Sequence, residues 1–234
     1  MQYGSIPAGG LGTRLQPIGF SKELAPVAGR AVIEYLIERM VASGIDKIFI
    51  NTAEDKTDLI RYLSTKSEYR DHLIYLVRER KGLLDGIIQP AQFLRDDDEL
   101  FFGLPDTIWF PTDGFSQVMD QPGKVVLGLF DTGTPDSFDS VVTCDNNQIQ
   151  SVEVKVANPK SKWTWGIGKL TVSEIPLLTK LVGKQEGTPL FGVAAHDYAQ
   201  SHPAFAVELS GSSYLDIGQP EAYAQADQFV QSHS

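Results

Sequence analysis

Tyr3-Gly4-Ser5-Ile6-Pro7-Ala8-Gly9-Gly10-Leu11-Gly12-Thr13-Arg14 is the stretch that decides how the rest of the chain is read. Tyr3 to Ile6 predicts a short strand, and glycines at positions 9, 10 and 12 follow it at once. Glycine lets a backbone turn sharply and bring successive N–H groups close to an anion. Arg14 adds a planar, forked donor suited to phosphate oxygens. The third glycine of a dinucleotide fingerprint is missing, and no Gly-Lys-Ser/Thr follows. Two readings stay open on these residues alone: a phosphate-binding loop of another kind, or a flexible connection. Lys22, a cation shortly after the loop, favours the first.

Working outward, the pattern alternates. Ala31–Ala42 carries apolar residues at helical spacing and stops at Gly44. Ile45–Ile50 alternates as a strand, Asp55–Leu63 reads as a surface helix and Leu73–Val77 as a buried strand. Leu83–Leu94 reads as a helix that Pro90 kinks or restarts. Asp96-Asp97-Asp98-Glu99 is a solvated acidic run before a strand, and Thr107–Pro111 is an apolar strand that ends at Asp113. Strand–helix alternation predicts an α/β fold: a three-layer α/β/α sandwich on a mixed, mainly parallel, Rossmann-like sheet. Val125–Phe130, Ser140–Thr143 and Ile149–Val154 predict strands with tight connections, with Asn146-Asn147 as a hairpin turn. Thr171–Val182 and Phe191–Gln200 predict helices, Ala204–Leu209 a strand, and Pro220–Val230 a last helix with proline in its first turn. With no repeat or long linker, one domain over residues 1–234 is the expectation.

The formal net charge of −10 argues against a nucleic-acid partner, whose phosphates need many Lys and Arg, but leaves room for a small phosphorylated ligand. The lone Cys144 precludes an intrachain disulfide and reads as a buried, inert thiol. No signal-peptide pattern and no long apolar run are present, so no membrane partner and a cytoplasmic location are expected. The four histidines lack metal-ligand spacing.

Asp113 lies just past an apolar strand, where α/β sheets bind ligands; a turn aspartate before Gly114 is the alternative. Asp216, in Tyr214-Leu215-Asp216-Ile217-Gly218-Gln219-Pro220-Glu221-Ala222-Tyr223, reads either as a cap before a helix or as a ligand.

Taken together, Ala8-Gly9-Gly10-Leu11-Gly12-Thr13-Arg14-Leu15-Gln16-Pro17-Ile18, then Ser21-Lys22-Glu23-Leu24-Ala25-Pro26-Val27, then the helical run, resemble the sugar-1-phosphate nucleotidylyltransferases. The late segment around Asp216 resembles that family's W-x-D-I-G-T-P-E-x-Y. The resemblance implies the nucleotide-diphospho-sugar transferase fold. It also implies a Mg2+-dependent transfer of a nucleoside monophosphate from a triphosphate, dTTP or UTP, to a sugar 1-phosphate such as glucose 1-phosphate, with pyrophosphate released.

It further implies that Arg14 and Lys22 grip the triphosphate. Ala8, Gly9, Gly10, Gly12, Thr13, Arg14 and Gly86 would line the nucleotide site, and Asp113 and Asp216 would hold Mg2+, with Asp113 counted as catalytic. Lys155 and Gly166 would contact the sugar phosphate. Against the family pattern, Ser21 stands where proline is common, after a shortened spacer. Val154 and Val156 flank Lys155 in place of an acid and a proline, and no glutamine precedes Gly86 to read a pyrimidine. A non-catalytic nucleotide-sugar-binding homologue is the alternative these departures raise. A homo-oligomer is compatible with the sequence and is not required by it.

Overall fold

A computed structural model describes residues 1–15, 18–182 and 190–233 of the chain. Gln16 and Pro17 of the loop motif lie outside the described residues.

The first strand, β1 (Gln2–Pro7), sits inside the sheet. It pairs in parallel with β4 (Lys47–Thr52) on one side and β6 (Glu99–Gly103) on the other. Two short strands, β2 (Pro26–Val27) and β3 (Arg30–Ala31), form a separate hairpin between β1 and β4 in the chain. Next to β4, β5 (Leu73–Val77) forms the parallel edge. Beyond β6 the sheet changes sense. The long strand β11 (Trp163–Thr171) runs antiparallel to β6 and to β8 (Val125–Asp131). β9 (Asp139–Thr143) and β10 (Ile149–Val154) form a hairpin that joins through Thr164 and Ser140, and β12 (Phe205–Glu208) adds in parallel to β8. The sheet is mixed and mainly parallel, with helices on both sides.

Alternation along the strands explains the two faces. On β6, Phe101 faces one core while Leu100 and Phe102 face the other. The first core receives α1 (Val32–Ala42), α2 (Thr57–Ser64) and α4 (Gly114–Asp120). The second receives α3 (Leu83–Ile88), α5 (Ile175–Val182) and α6 (Phe191–Ala199). Pro90 breaks the expected long helix as anticipated: α3 ends at Ile88 and a 3-10 turn, Gln89–Phe93, takes over. The Asn146-Asn147 turn also forms, with Asn147 left-handed at φ 63°. Cys144 lies at this turn and is exposed, not buried as expected, because the apolar run ends at Val142 before the chain leaves the sheet.

The main departure concerns Thr107–Phe110, β7. It lies outside the main sheet and pairs antiparallel with β13 (Ser213–Asp216) in a separate two-stranded ribbon. The last helix, α7 (Pro220–Gln231), packs Ala226 and Val230 with Val27, Val32, Ile108 and Ile217 in a third small core. Proline opens α7 as the sequence predicts. Among the described residues, no helix is long and apolar enough to cross a membrane.

Candidate active site

The carboxyl ends of the parallel strands β1, β4 and β6 face one cleft. Three polar contacts fix its floor: Asn51 Nδ2 donates to Ser5 Oγ at 2.9 Å, Ser5 Oγ donates to the Ile87 carbonyl at 2.6 Å, and the Ala8 N–H donates to the Asn51 carbonyl at 2.8 Å. The glycine loop therefore leaves β1 anchored to β4 and, through Ser5, to α3.

Lys22 explains two of the glycines. A Cβ on Gly10 would lie 3.5 Å from Lys22 Nζ, and a Cβ on Gly12 would lie 3.0 Å from Lys22 Cβ; Gly12 is also left-handed at φ 64°. The lysine thus lies along the loop, and its ammonium forms an ion pair with Asp106, both side chains being mostly buried. Burial works against the Lys22 charge, but Asp106 more than offsets it, and the ammonium is held above the usual lysine range.

Arg80, unremarked in sequence, closes the other side. Its Nε donates to the Gly9 carbonyl at 2.5 Å and its guanidinium pairs with Asp55. Gly86 packs on Pro7, with 3.0 Å between its ideal Cβ and Pro7 Cβ, on the wall of a cavity of about 240 Å3. That wall also includes Gly9, Gly10, Lys22, Arg78, Asp85 and Asp106. Gly82, left-handed at φ 106°, starts α3 beside it. Thr13 and Arg14 line an adjoining depression of about 340 Å3, shared with Gly12, Lys22, Arg80 and Gly218.

Arg14 and Asp216, distant in sequence, meet at Gly218. An ideal Cβ there would lie 2.8 Å from Asp216 Oδ1, 3.1 Å from Arg14 Nη2 and 3.5 Å from Asp106 Oδ2. The Gly218 N–H donates to Asp216 Oδ1 at 2.8 Å, and the Ile217 N–H donates to the Asp106 carbonyl at 3.0 Å. Burial pushes the Asp216 carboxyl up from its ordinary range and Asp106 adds to the rise; the Gly218 N–H, Arg14 and Lys22 oppose it. Two carboxylates crowded together, one of them destabilised as an anion, form a site with room for positive charge.

Asp113 is not part of this cluster. The ribbon register sets Asp216 opposite Thr107, at the start of β7, whereas Asp113 follows the other end. The strand alone separates them by about 10 Å, at about 3.3 Å per residue. Asp113 precedes α4, accepts from Gln117 Nε2 at 3.1 Å, and lines a different cavity of about 670 Å3 with Arg30, Arg39 and His233. The expectation that Asp113 and Asp216 share one ion is not met by this geometry. β6 neighbours β1, and Leu104-Pro105-Asp106 follows its carboxyl end, which is where an α/β sheet presents ligand-binding groups.

Neither Lys155 nor Gly166 lines these two depressions. Lys155 is an exposed, left-handed turn residue at φ 47° whose charge acts on Asp139. Gly166 sits where β11 bulges against β8, and its missing side chain makes room for Tyr214 and Phe130, 2.5 and 2.9 Å from an ideal Cβ.

The family profile described as nucleotidyl transferase matches residues 4–233. A glucose-1-phosphate thymidylyltransferase of Neisseria meningitidis is 28% identical over 240 aligned positions, which cover 98% of this chain and 82% of that protein. A bifunctional protein GlmU of Methanococcus maripaludis is 26% identical, over 92% of this chain and 51% of its own length. The crystal structure of a UDP-glucose pyrophosphorylase complexed with UDP-glucose superposes with a TM-score of 0.84 over 100% of both chains, at 16% identity. A cleft built at the carboxyl ends of parallel strands, a glycine loop crossed by a lysine, and a profile match over nearly the whole chain lead to one conclusion: this protein belongs to the nucleotidyl transferase family.

Proposed function

We propose that the protein transfers a nucleoside monophosphate from a triphosphate to a sugar 1-phosphate, releasing pyrophosphate. A phosphate oxygen of the sugar phosphate attacks the α-phosphorus, the bond to the bridging oxygen of the β-phosphate breaks, and the pair of electrons leaves with pyrophosphate. The attacking phosphate is ionised near neutral pH, so positioning and charge stabilisation carry the catalysis and no general base is needed. Lys22, Arg14 and Arg80 along the loop are the groups that would hold the triphosphate and take up charge on the leaving group.

The donor set fits Mg2+. Asp106 and Asp216 bring hard carboxylate oxygens to one point beside Gly218, and a magnesium site needs only one or two such groups plus phosphate oxygens and water. When bound there, the ion would neutralise phosphate charge and orient the reacting groups. The convergence of Arg14, Asp106 and Asp216 on Gly218 is the single observation that carries this reading.

Relatives named for thymidylyl and uridylyl transfer to glucose 1-phosphate favour dTTP or UTP and that sugar. The wall of the cavity also carries Arg78 paired with Asp85. A carboxylate there suits a base edge that offers an N–H. The test is pyrophosphate release, with triphosphates crossed against sugar 1-phosphates, with and without Mg2+. Release in no combination, together with nucleotide-sugar binding by calorimetry, would replace this reading with that of a binding homologue.

A further inference from the structure

The segment that carries Lys22 is held on both sides of the lysine by one short stretch of chain. The Asp58 carboxylate accepts from the Ser21 backbone N–H at 2.7 Å and from the Ser21 hydroxyl at 2.6 Å. Two residues on, Lys56 Nζ pairs with Glu23 Oε2 at 2.6 Å, with Glu23 fully buried and Lys56 4% exposed. Lys56 and Asp58 flank the start of α2, and that helix is seated in the core by Leu59 and Leu63. The turn Lys22–Leu24 is closed by the Leu24 N–H donating to the Ser21 carbonyl at 2.8 Å and the Ala25 N–H to the Lys22 carbonyl at 3.0 Å. Residues 21 and 23 are thus tied to α2, while the side chain between them runs to Gly12, Gly10 and Asp106.

We infer that Asp58 and Lys56 are positioning residues: through Ser21 and Glu23 they fix where the Lys22 ammonium stands. Ser21 is essential to the device. A proline there would have neither the N–H nor the hydroxyl that Asp58 receives. A buried Lys–Glu pair is weak evidence for stability, since both ions lose their water. Placed next to a working lysine, its use is to define a geometry.

The inference rests on the proposed activity for its consequence, so the test has a readout of each kind. Asp58→Ala, Asp58→Asn and Lys56→Met are compared with wild type, alone and combined with Lys22→Met. Each single variant is expected to lower kcat/KM, by up to about a hundredfold for a shift of about 1 Å. In the Lys22→Met background the same changes are expected to have no further effect, because the group they position is gone. Independently of turnover, acetylation of Lys22 by an amine-reactive ester, read by peptide mass spectrometry, should rise severalfold in Asp58→Ala, with Lys47 unchanged. Losses that add fully to that of Lys22→Met, or Lys22 labelling equal to wild type, would overturn the inference. Should Asp58→Ala fail to fold, Asp58→Asn, which keeps the shape of the side chain, and Ser21→Ala, which removes only the hydroxyl contact, give the same comparisons. If wild type releases no pyrophosphate with any substrate pair, the proposed function falls and the labelling result still decides the positioning role.

Discussion

Adding one methyl group at Gly218 tests the cluster at its centre. The new Cβ would stand 2.8 Å from Asp216 Oδ1 and 3.1 Å from Arg14 Nη2. Comfortable contact for carbon begins near 3.5 Å, so the carboxylate must retreat by roughly 0.7 Å and the guanidinium by roughly 0.4 Å. Reacting constellations need their groups held within about 0.5 Å. Gly218 is not among the left-handed glycines, so alanine is tolerated by the backbone itself. Gly218→Ala should therefore leave the melting temperature within a few degrees of wild type. It should lower kcat/KM for pyrophosphate release by about a hundredfold, or about 2.7 kcal/mol of transition-state stabilisation. A variant with unchanged melting and wild-type kcat/KM would refute the claim that Arg14, Asp106 and Asp216 act together at this point.

Asp106→Asn is expected to reduce turnover by about 10²–10³-fold, while Asp113→Asn stays within about twofold of wild type; the reverse order in steady-state assays would restore Asp113 to the mechanism. Calorimetric titration of Mg2+ in the presence of a non-hydrolysable triphosphate should give a binding signal that Asp216→Asn loses, and an equal signal in that variant would remove Asp216 from the metal site. Asp85→Ala should flatten the preference among triphosphate bases in kcat/KM with little change in kcat for the best one; an unaltered preference profile would take base reading away from that carboxylate. Away from the cleft, Gly128→Ala places a Cβ 2.6 Å from Ile167 Cγ1 and 2.9 Å from Val118 Cγ2. Overpacking of this kind should lower stability by about 1–3 kcal/mol in urea unfolding.

Local signals in the sequence were enough for the parallel half of the fold. Glycines after an apolar strand, an amphipathic helix ended by Gly44, and a proline just beyond the third helix each have a short-range cause, and each forms as expected. What the residues near Asp113 could not reveal is pairing. Thr-Ile-Trp-Phe has the composition of a sheet strand, yet its partner is Ser213–Asp216, more than a hundred residues away, and not β1. Glu99–Gly103 holds the place beside β1, so the carboxylate that follows it, Asp106, reaches the cleft. Arg80 was illegible for the same reason: one arginine among several becomes informative only once its Nε is found on the Gly9 carbonyl. Gly166 carries a packing role that local sequence does not reveal, since its missing side chain leaves room for Tyr214.

The cluster at Gly218 joins the two extremes of the chain, and this bears on how the protein comes into being. β1 through β12, and with them the whole main sheet, precede Asp216, so the scaffold can assemble before the last carboxylate is available. That carboxylate is delivered by the β13 ribbon and by α7, which docks on the β2–β3 hairpin through Tyr223 Oη to the Pro26 carbonyl at 3.2 Å and the Ala28 N–H to Asp227 at 2.7 Å. Until β13 and α7 have docked, the cleft lacks Asp216, and a nick between β12 and β13 would free from the main sheet the segment that carries it.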